Sequence, residues 1–226
     1  MAVVSVNGRP CFSIDPSDLT FLWQECPRCF YRQVVQSIRR PRIPMAKIYS
    51  VIDQGMKAAL DGTRTEIIPG MPPGVFAFQE QWVESVPFSV PGHSTSCRIR
   101  GRFDIAVRLD DGTFGIPDLK TASVKDAYIG LYVRQLRAYA YAVEHPSPGK
   151  PAFSPVTTLG LVVFEPDAFV HRRGGGFLAG DVRWIELKRD DAAFMTLLDE
   201  VLSVLDRPAA PAPSVNCDFC RYGAVA

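Results

Sequence analysis

The segment "STSCRIRGRFDIAVRL", residues 94–109, limits the fold of this chain more than any other, because its pattern extends through a turn into the next strand. Apolar residues fall on odd positions towards its end and charged residues on even ones, which predicts a strand with one polar face. "DDG" and "TFGIPDLKT" follow. A three-residue hairpin loop with Gly112 in the left-handed conformation would pair Leu109 with Thr113.

In that register Asp104 lies opposite Asp118, and Lys120 shares their face. A two-residue loop would place the two acids on opposite faces, so the prediction depends on this turn. Converging carboxylates repel each other unless a cation lies between them. Oxygen ligands suit magnesium or manganese, and a neighbouring lysine can orient water or stabilise charge on a phosphate. The alternative is an exposed Asp118–Lys120 ion pair, which would contribute ~0–1 kcal/mol.

Helices are predicted before and after these strands. Ser17 is placed to cap "DLTFLWQECPRCFYRQVVQ", and "KIYSVIDQGMKAALDG" ends at Gly62, so that two amphipathic helices precede any strand. "VFAFQEQWVESVPFSV" has the aromatic and β-branched content of strands.

A long helix is predicted in "SVKDAYIGLYVRQLRAYAYAVEH", with Ser123 as its cap and Pro146 as its stop. Gln135 and Tyr139 are four residues apart and share one face of this helix. A strand "VTTLGLVVFE", a hairpin around "RRGGGFLAGD" and a helix "DDAAFMTLLDEVLSVL" follow. The stiff spacer "RPAAPAPS" leads to "CDFC", and no internal repeat is present.

Composition places the chain among ordinary globular proteins, with 47% hydrophobic and 22% charged residues in 226. No signal-peptide pattern opens the sequence, and no apolar run reaches the ~18 residues of a membrane-spanning helix. A cytoplasmic protein without a membrane partner is therefore expected.

The net charge of +1 gives no overall attraction to nucleic acid, so phosphate contacts must be local. Two arginine groups could make such contacts, with solvated surface charge as the alternative for both. One group projects from the predicted face of Asp104, and the other follows the first helix. The groups are Arg98, Arg100 and Arg102, and Arg39, Arg40 and Arg42.

Four cysteines form two pairs with the spacing of metal ligands, Cys26 and Cys29 in "CPRC" and Cys217 and Cys220 in "CDFC". Four thiolates can hold zinc or an iron–sulfur cluster, and spacing alone does not distinguish them. A shared ion would close a loop of roughly 190 residues and attach the tail to the first helix. The alternative is two unrelated pairs. The two remaining cysteines are predicted to be ordinary thiols.

"GRFD", "PDLKT" and "QLRAY", in that order, resemble the PD-(D/E)XK nuclease superfamily, and most closely its RecB-like branch, which includes CRISPR-adaptation nucleases with a cysteine cluster. The resemblance spans about residues 20–222. It implies an α/β fold with a restriction-endonuclease-like mixed β-sheet core, flanking helices, a helical N-terminal part and a cysteine–metal clasp between the two terminal regions.

The resemblance also implies roles for individual residues. Asp104 and Asp118 match the metal-binding acids, Leu119 the residue whose backbone carbonyl binds the metal, and Lys120 the catalytic lysine. The glutamine and tyrosine that share a face of the long helix match a motif beside the active site that helps to place the lysine and the DNA. Core packing is the alternative for the tyrosine.

Two departures from the branch are visible. Its early helix carries a metal-binding histidine, but the corresponding stretch "DQGMKAALDG" places Ala59 there, and no histidine replaces it by position. This predicts an all-acidic site, a changed metal preference or lost catalysis. Glu80 or Glu84 could add a carboxylate, although a solvated strand face is the favoured interpretation. The cysteines divide two and two rather than one and three, which favours zinc.

These observations predict a single nuclease domain over 1–226, with a helical part at 17–62, a core at 75–206 and a proline-rich linker and cysteine tail at 207–226. The predicted function is that of a divalent-metal-dependent nuclease, and the resemblance alone implies that it acts on DNA, as a RecB-like exonuclease on DNA ends or single strands. Mg²⁺ or Mn²⁺ would serve the active site, and Zn²⁺ or an iron–sulfur cluster the four cysteines. Expected partners are DNA and proteins of a DNA-processing or defence complex.

Two other functions fit the same sequence. A catalytically inactive nuclease-fold module for nucleic-acid binding or assembly would explain the missing histidine. A zinc-ribbon-like adaptor would make the cysteines the functional residues.

Overall fold

Two mixed β-sheets and six α-helices form the described part of the computed structural model, which comprises residues 4–6, 8–41, 44–121 and 125–222. The strands are β1 Val4–Val6, β2 Arg9–Ile14, β3 Gly74–Gln79, β4 Trp82–Glu84, β5 Phe88–Ser89, β6 Ser96–Arg102, β7 Ile105–Leu109, β8 Phe114–Lys120, β9 Val156–Arg172 and β10 Gly175–Leu187. The helices are α1 Phe21–Glu25, α2 Pro27–Gln36, α3 Lys47–Leu60, α4 Asp126–Glu144, α5 Asp191–Leu205 and α6 Asp218–Tyr222. The predicted fold class, a mixed α/β core flanked by helices, is confirmed.

The first sheet has the order β1-β2-β6-β4, with β5 also pairing with β6. The prediction that two helices precede any strand is wrong, because β1 and β2 come first. Phe12 and Ile14 of β2 are buried on either side of Ser13, and Ile14 aligns with Ile99 of β6 in a parallel pair. The short alternation in "CFSI" therefore encodes a strand that only a distant partner completes.

The second sheet has the order β10-β9-β8-β7-β3 and is covered on both faces. Strands β8 and β9 are parallel, and α4 makes the connection between them. One face contributes to the main core with α2, α4 and α5, and the opposite face has a smaller core beside α3. The smaller core consists of Leu60, Ile68, Met71, Phe76, Ile105, Val107, Leu109, Leu119 and Val162.

The turn between β7 and β8 has the predicted form. Leu109 N–H donates to the Thr113 carbonyl at 2.9 Å, and Gly112 has a φ of +85°. Val107 aligns with Gly115 and Arg108 with Phe114, which is the predicted register at the turn end of the hairpin.

The predicted continuous strand through residue 104 is wrong, because the chain leaves the first sheet after β6 and enters the second with β7. Phe103, between the two strands, is buried against Tyr139 and Phe153 and so keeps the alternation of buried residues across the break. Glu80 N–H donates to the Asp104 carbonyl at 2.9 Å beyond this break. The arginines of β6 therefore belong to the first sheet, whereas Asp104 lies between the two sheets, directly before β7.

The N-terminal helical region is broken rather than continuous. Asp15, not Ser17, caps it: the Asp15 carboxylate accepts hydrogen bonds from the Ser17 N–H at 2.9 Å and the Ser17 hydroxyl at 2.7 Å, before a 3₁₀ turn at Pro16–Leu19. Cys26 has an extended φ of −159°, and Pro27 begins α2. Proline disfavours a helical residue before it and lacks an N–H, so it starts a new helix there.

Most other predicted boundaries agree with the structure. Helix α3 ends at Leu60 with Gly62 at a φ of +67°, and α4 ends at Glu144, before Pro146. The predicted cap Ser123 lies outside the described residues. Among the described helices, none combines the length and apolarity needed to cross a bilayer.

The predicted hairpin around "RRGGGFLAGD" is formed by β9 and β10. Strand β9 is buried from Thr158 to Val163 and exposed from Pro166 onwards, and Phe169 is 70% exposed. The distal half of the hairpin is therefore a two-stranded arm that projects from the sheet.

The loop before β6 is held to the end of α5 by His93, whose ring nitrogens lie 2.9 Å from Asp199 and 2.8 Å from Asp206. Burial opposes protonation, but the hydrogen bonds to both carboxylates outweigh it and raise the pKa of His93. A raised folded-state pKa stabilises the fold below the unfolded value of ~6.5, and this stabilisation is lost as pH rises through the folded value. We therefore expect the free energy of unfolding to fall as pH rises above neutrality.

Urea unfolding between pH 6 and pH 9 measures this effect. His93→Gln should flatten the pH dependence, whereas His171→Gln, on the exposed arm, should retain it. An unchanged slope in His93→Gln would refute the assignment.

Candidate active site

The two predicted acids meet where β7 begins and β8 ends. Leu119, the residue after Asp118 on β8, donates its N–H to Asp104 Oδ2 at 3.4 Å. This hydrogen bond places the Asp104 carboxylate beside Asp118. The Gln135 amide nitrogen donates to Asp118 Oδ1 at 3.2 Å, and Lys120 forms an ion pair with Asp118 Oδ2. The structure thus brings together the acids, the lysine and the glutamine named from the sequence.

The electrostatics of this group follow from burial. Asp118 is 4% exposed, and burial raises its pKa to about 6; Lys120 opposes the rise, and repulsion from Asp104 adds to it. Burial also penalises the Lys120 cation, but Asp118 holds the pKa of Lys120 above its ordinary value. The Lys120 ammonium lies 4.8 Å from the ring centroid of Tyr132, where the π face favours a cation.

The acids provide the donor set of a divalent-cation site. Asp118 Oδ2 is buried and, among the described residues, accepts no hydrogen bond of ordinary geometry, although the Lys120 ammonium lies next to it. A buried carboxylate oxygen beside a second carboxylate is the ligand type that Mg²⁺ and Mn²⁺ prefer. The residues present therefore fit such an ion.

Gln135 and Tyr139 share one face of α4, as predicted, but their side chains make different contacts. Gln135 contacts Asp118 directly. Tyr139 is buried, packs against Phe103, and donates its hydroxyl hydrogen bond to the Arg102 carbonyl at 2.7 Å. Tyr139 thus both packs in the core and fixes the chain two residues before Asp104.

Helix α3 directs Lys57, not the predicted position 59, towards the acids. Ala59 is exposed, whereas Lys57 is 7% exposed and its Nζ lies 3.1 Å from Asp104 Oδ1. Burial opposes this charge, but the adjacent carboxylates, Asp53 first, hold the pKa of Lys57 above its ordinary value. Sequence reasoning missed Lys57, although the i, i+4 spacing of Asp53 and Lys57 could have indicated it.

Glu80 and Glu84, for which a solvated strand face was favoured, are both paired. Glu80 Oε1 lies 2.9 Å from Lys57 Nζ. Glu84 lies 3.1 Å from both Arg98 and Arg100. Glu80 is therefore connected to the acidic group through Lys57, whereas Glu84 pairs with arginines of β6.

Each β6 arginine forms an ion pair with a glutamate in or next to β4. Arg98 and Arg100 pair with Glu84, and Arg100 also lies 5.5 Å from the Trp82 ring centroid. Arg102 lies 3.8 Å from Glu80 and is half exposed. Their contact with nucleic acid stays a prediction. Of the second arginine group, Arg42 lies outside the described residues.

A cleft of about 640 Å³ opens beside Lys120. The start of α3 forms one wall, with Lys47 and Tyr49, and the other includes Thr121 and Tyr132. An extended chain with negative charge and planar bases would find cationic and aromatic groups on both sides.

The two cysteine pairs come from opposite ends of the sequence but meet in space, where their sulfur atoms lie within 4.8 Å of one another. Individual separations are 3.8 Å for Cys26 and Cys220, 3.7 Å for Cys29 and Cys217, and 3.4 Å for Cys29 and Cys220. Pro27 places one pair at the start of α2, and the tail brings the other. The interpretation as two unrelated pairs is wrong, since all four thiols form one group.

The environment of this group acts differently on its thiols: burial raises the pKa of Cys29, although Arg40 opposes the rise, and burial also raises the pKa of Cys220. Arg40 donates to Cys217 Sγ at 3.3 Å and to Glu25 at 2.5 Å, which places a guanidinium beside the sulfur atoms. Burial opposes ionisation of Cys26, but backbone hydrogen bonds from Ser214 and Cys29 lower its pKa to about 6. Four ionisable thiols around one point fit a bound metal ion.

Two comparisons with known proteins found matches. A family model for the PD-(D/E)XK nuclease superfamily matches residues 68–225. The crystal structure of SSO0001 shares the fold with a TM-score of 0.55 at 18% identity, over 99% of this chain and 87% of that chain. No curated protein matches the sequence.

Proposed function

Since this chain belongs to the PD-(D/E)XK nuclease superfamily, we propose that it is a divalent-metal-dependent DNA nuclease, a RecB-like exonuclease acting on DNA ends or single strands. The observation that carries the proposal is the convergence of Asp104, Asp118 and Lys120 at the end of one hairpin, beside an open cleft. Structural residues seldom combine a buried, incompletely bonded carboxylate with a second acid and a lysine.

Asp104, Asp118 and the Leu119 backbone carbonyl would hold Mg²⁺ or Mn²⁺. Such an ion, when bound, supplies Lewis-acid activation of water and neutralises phosphate charge. Lys120, held between Asp118 and Tyr132, presents a fixed positive charge to a phosphate that accumulates negative charge during hydrolysis. Gln135 orients the Asp118 carboxylate through its amide hydrogen bond.

The cleft beside Lys120 would receive a single strand or a frayed end. Tyr49 and Tyr132 can stack on bases, and Lys47 can contact a phosphate, a combination that binds single strands with little sequence preference. The half-exposed Arg102 would contact the backbone outside the cleft.

Zinc is the metal that we propose for the four cysteines. Zn–S bonds of ~2.3 Å around a tetrahedral ion place the sulfur atoms about 3.8 Å apart. Three of the sulfur separations are 3.4–3.8 Å and all four sulfur atoms lie within 4.8 Å of one another, which supports one ion at the centre. An iron–sulfur cluster would instead bind thiolates through several iron atoms, with the sulfurs farther apart. Metal analysis with a visible spectrum tests this, since a zinc protein is colourless and a brown protein would contradict it.

Labelled single- and double-stranded DNA, incubated with Mg²⁺ or Mn²⁺ and in parallel with EDTA, tests the nuclease proposal. We expect progressive shortening from ends in the presence of metal, and faster cleavage of single strands. Binding without metal-dependent cleavage would refute it and favour the inactive nuclease-fold module. RNA of the same sequence, as a second substrate, tests the preference for DNA.

A further inference from the structure

A buried lysine already neutralises one side of the acidic group. Lys57 Nζ lies 2.8 Å from Asp53 Oδ2, 2.9 Å from Glu80 Oε1 and 3.1 Å from Asp104 Oδ1. The three carboxylates come from helix α3, from the residue after β3 and from the junction of β6 and β7. An ammonium has three N–H donors, so Lys57 can satisfy one oxygen of each.

The surrounding backbone holds Lys57 in this position. The Gln79 amide nitrogen donates to the Lys57 carbonyl at 2.7 Å. Glu80 has a φ of +47°, a left-handed conformation that a non-glycine residue rarely adopts. The Glu80 N–H donates to the Asp104 carbonyl at 2.9 Å, and this unusual backbone directs the Glu80 carboxylate to the lysine. The lysine therefore lies in a built site rather than on a mobile surface.

Asp104 divides its two oxygens between two environments. Oδ1 faces Lys57, while Oδ2 faces the Leu119 N–H and the side of Asp118. Without Lys57, carboxylates from Asp53, Glu80 and Asp104 would converge on one point, which is a donor set for a second divalent cation. With Lys57 present, an ion at that point would meet a positive charge at contact distance.

We propose that the Lys57 ammonium is a built-in cation that takes the place of a second divalent ion, so that the site binds one exchangeable ion, on the Asp118 side of Asp104. The inference rests on the proposed function for the location of that ion. Metal catalysis of phosphodiester hydrolysis commonly uses two ions as a clamp. Here Lys57 and Lys120 supply fixed positive charge on the two sides of a single ion.

Counting bound Mn²⁺ tests the proposal without any substrate. The full chain, first loaded with zinc so that the cysteines are filled, is titrated with Mn²⁺ while electron paramagnetic resonance reports the free ion. Mn²⁺ prefers oxygen ligands, so it does not compete for the thiolates. We expect one Mn²⁺ per chain in the unaltered protein and two in Lys57→Met.

Matched variants separate this effect from general loss of charge. Lys47→Met removes a lysine from the same helix, at an exposed position in the cleft, and should still bind one ion. Lys57→Arg keeps the charge and should also bind one. Lys57→Met with Asp118→Asn should lose the first ion, with at least about a tenfold drop in affinity, and keep the second.

Two ions in the unaltered protein would overturn the proposal, and that count needs no variant. A single ion in Lys57→Met with a native circular dichroism spectrum would also overturn it, and would leave Lys57 as a clamp for α3. A third outcome separates the two proposals. If the unaltered protein binds one ion and Lys57→Met binds two, the inference is supported. If the same preparation cleaves neither DNA nor RNA, the nuclease proposal is refuted.

Discussion

Asp118→Asn is expected to reduce metal-dependent DNA cleavage by about a thousandfold, the scale on which one preorganised charge contributes to a transition state. The substitution keeps the shape of the side chain and the possibility of a contact with Gln135, but it removes the charge that a metal ion and Lys120 both require. Single-turnover cleavage of end-labelled single-stranded DNA measures the loss, and circular dichroism establishes that the variant is folded.

Lys120→Ala should lower the rate by about a hundredfold while leaving Mn²⁺ binding within a few-fold of the unaltered protein, because its charge acts on the phosphate. The control for Asp118→Asn is Asp181→Asn, which makes the same chemical change on an exposed residue of β10. This variant should cleave DNA normally. Full activity in Asp118→Asn would show that the chemistry takes place elsewhere.

Cys29→Ser is expected to have the largest effect on stability. Cys29 Sγ lies within 3.7 Å of two sulfurs of the C-terminal pair, and the residues that it joins are separated by about 190 positions in sequence. Metal binding to four thiolates contributes on the order of 10 kcal/mol to the folding of small zinc domains, and closing a long loop adds to the effect. We expect Tm to fall by at least about 10 °C, which for a chain of this size corresponds to roughly 3–5 kcal/mol.

Differential scanning fluorimetry, with the zinc content measured on the same samples, checks this expectation. Cys97→Ala, at a buried cysteine outside the group, is the control and should retain zinc with a drop of only a few degrees. A Cys29→Ser variant that loses zinc but keeps its Tm would show that the metal does not stabilise the fold.

The local parts of the site could be predicted from the sequence. The turn at 110–112 fixes the relation of Asp104 to Asp118 through neighbouring hydrogen bonds, so short-range rules were sufficient there. The shared face of Gln135 and Tyr139 likewise follows from helical geometry alone. The roles of these residues in catalysis stay predictions until cleavage is measured.

The non-local parts could not be predicted from pattern. Strand β2 is a strand because it pairs with β6, more than 80 positions away, and a six-residue alternation does not specify such a partner. The break between the strands at Phe103 could not be predicted either, because Phe103 continues the period of two while it packs against α4 and the loop before β9. The position of Lys57 beside the acids could not be predicted, because its three carboxylate partners meet only in the folded chain. A lysine on an amphipathic helix ordinarily indicates a solvated face.

The cysteine group gives the chain the connectivity of a ring. The segment from Cys29 to Cys217 leaves and re-enters the same cluster, so an ion there would close it without a covalent bond between the ends. A single backbone cut inside the ring, for example in the exposed arm of β9 and β10, would leave two fragments that share one ion. After such a cut, the connection between the two fragments at the cluster would depend on the availability of zinc.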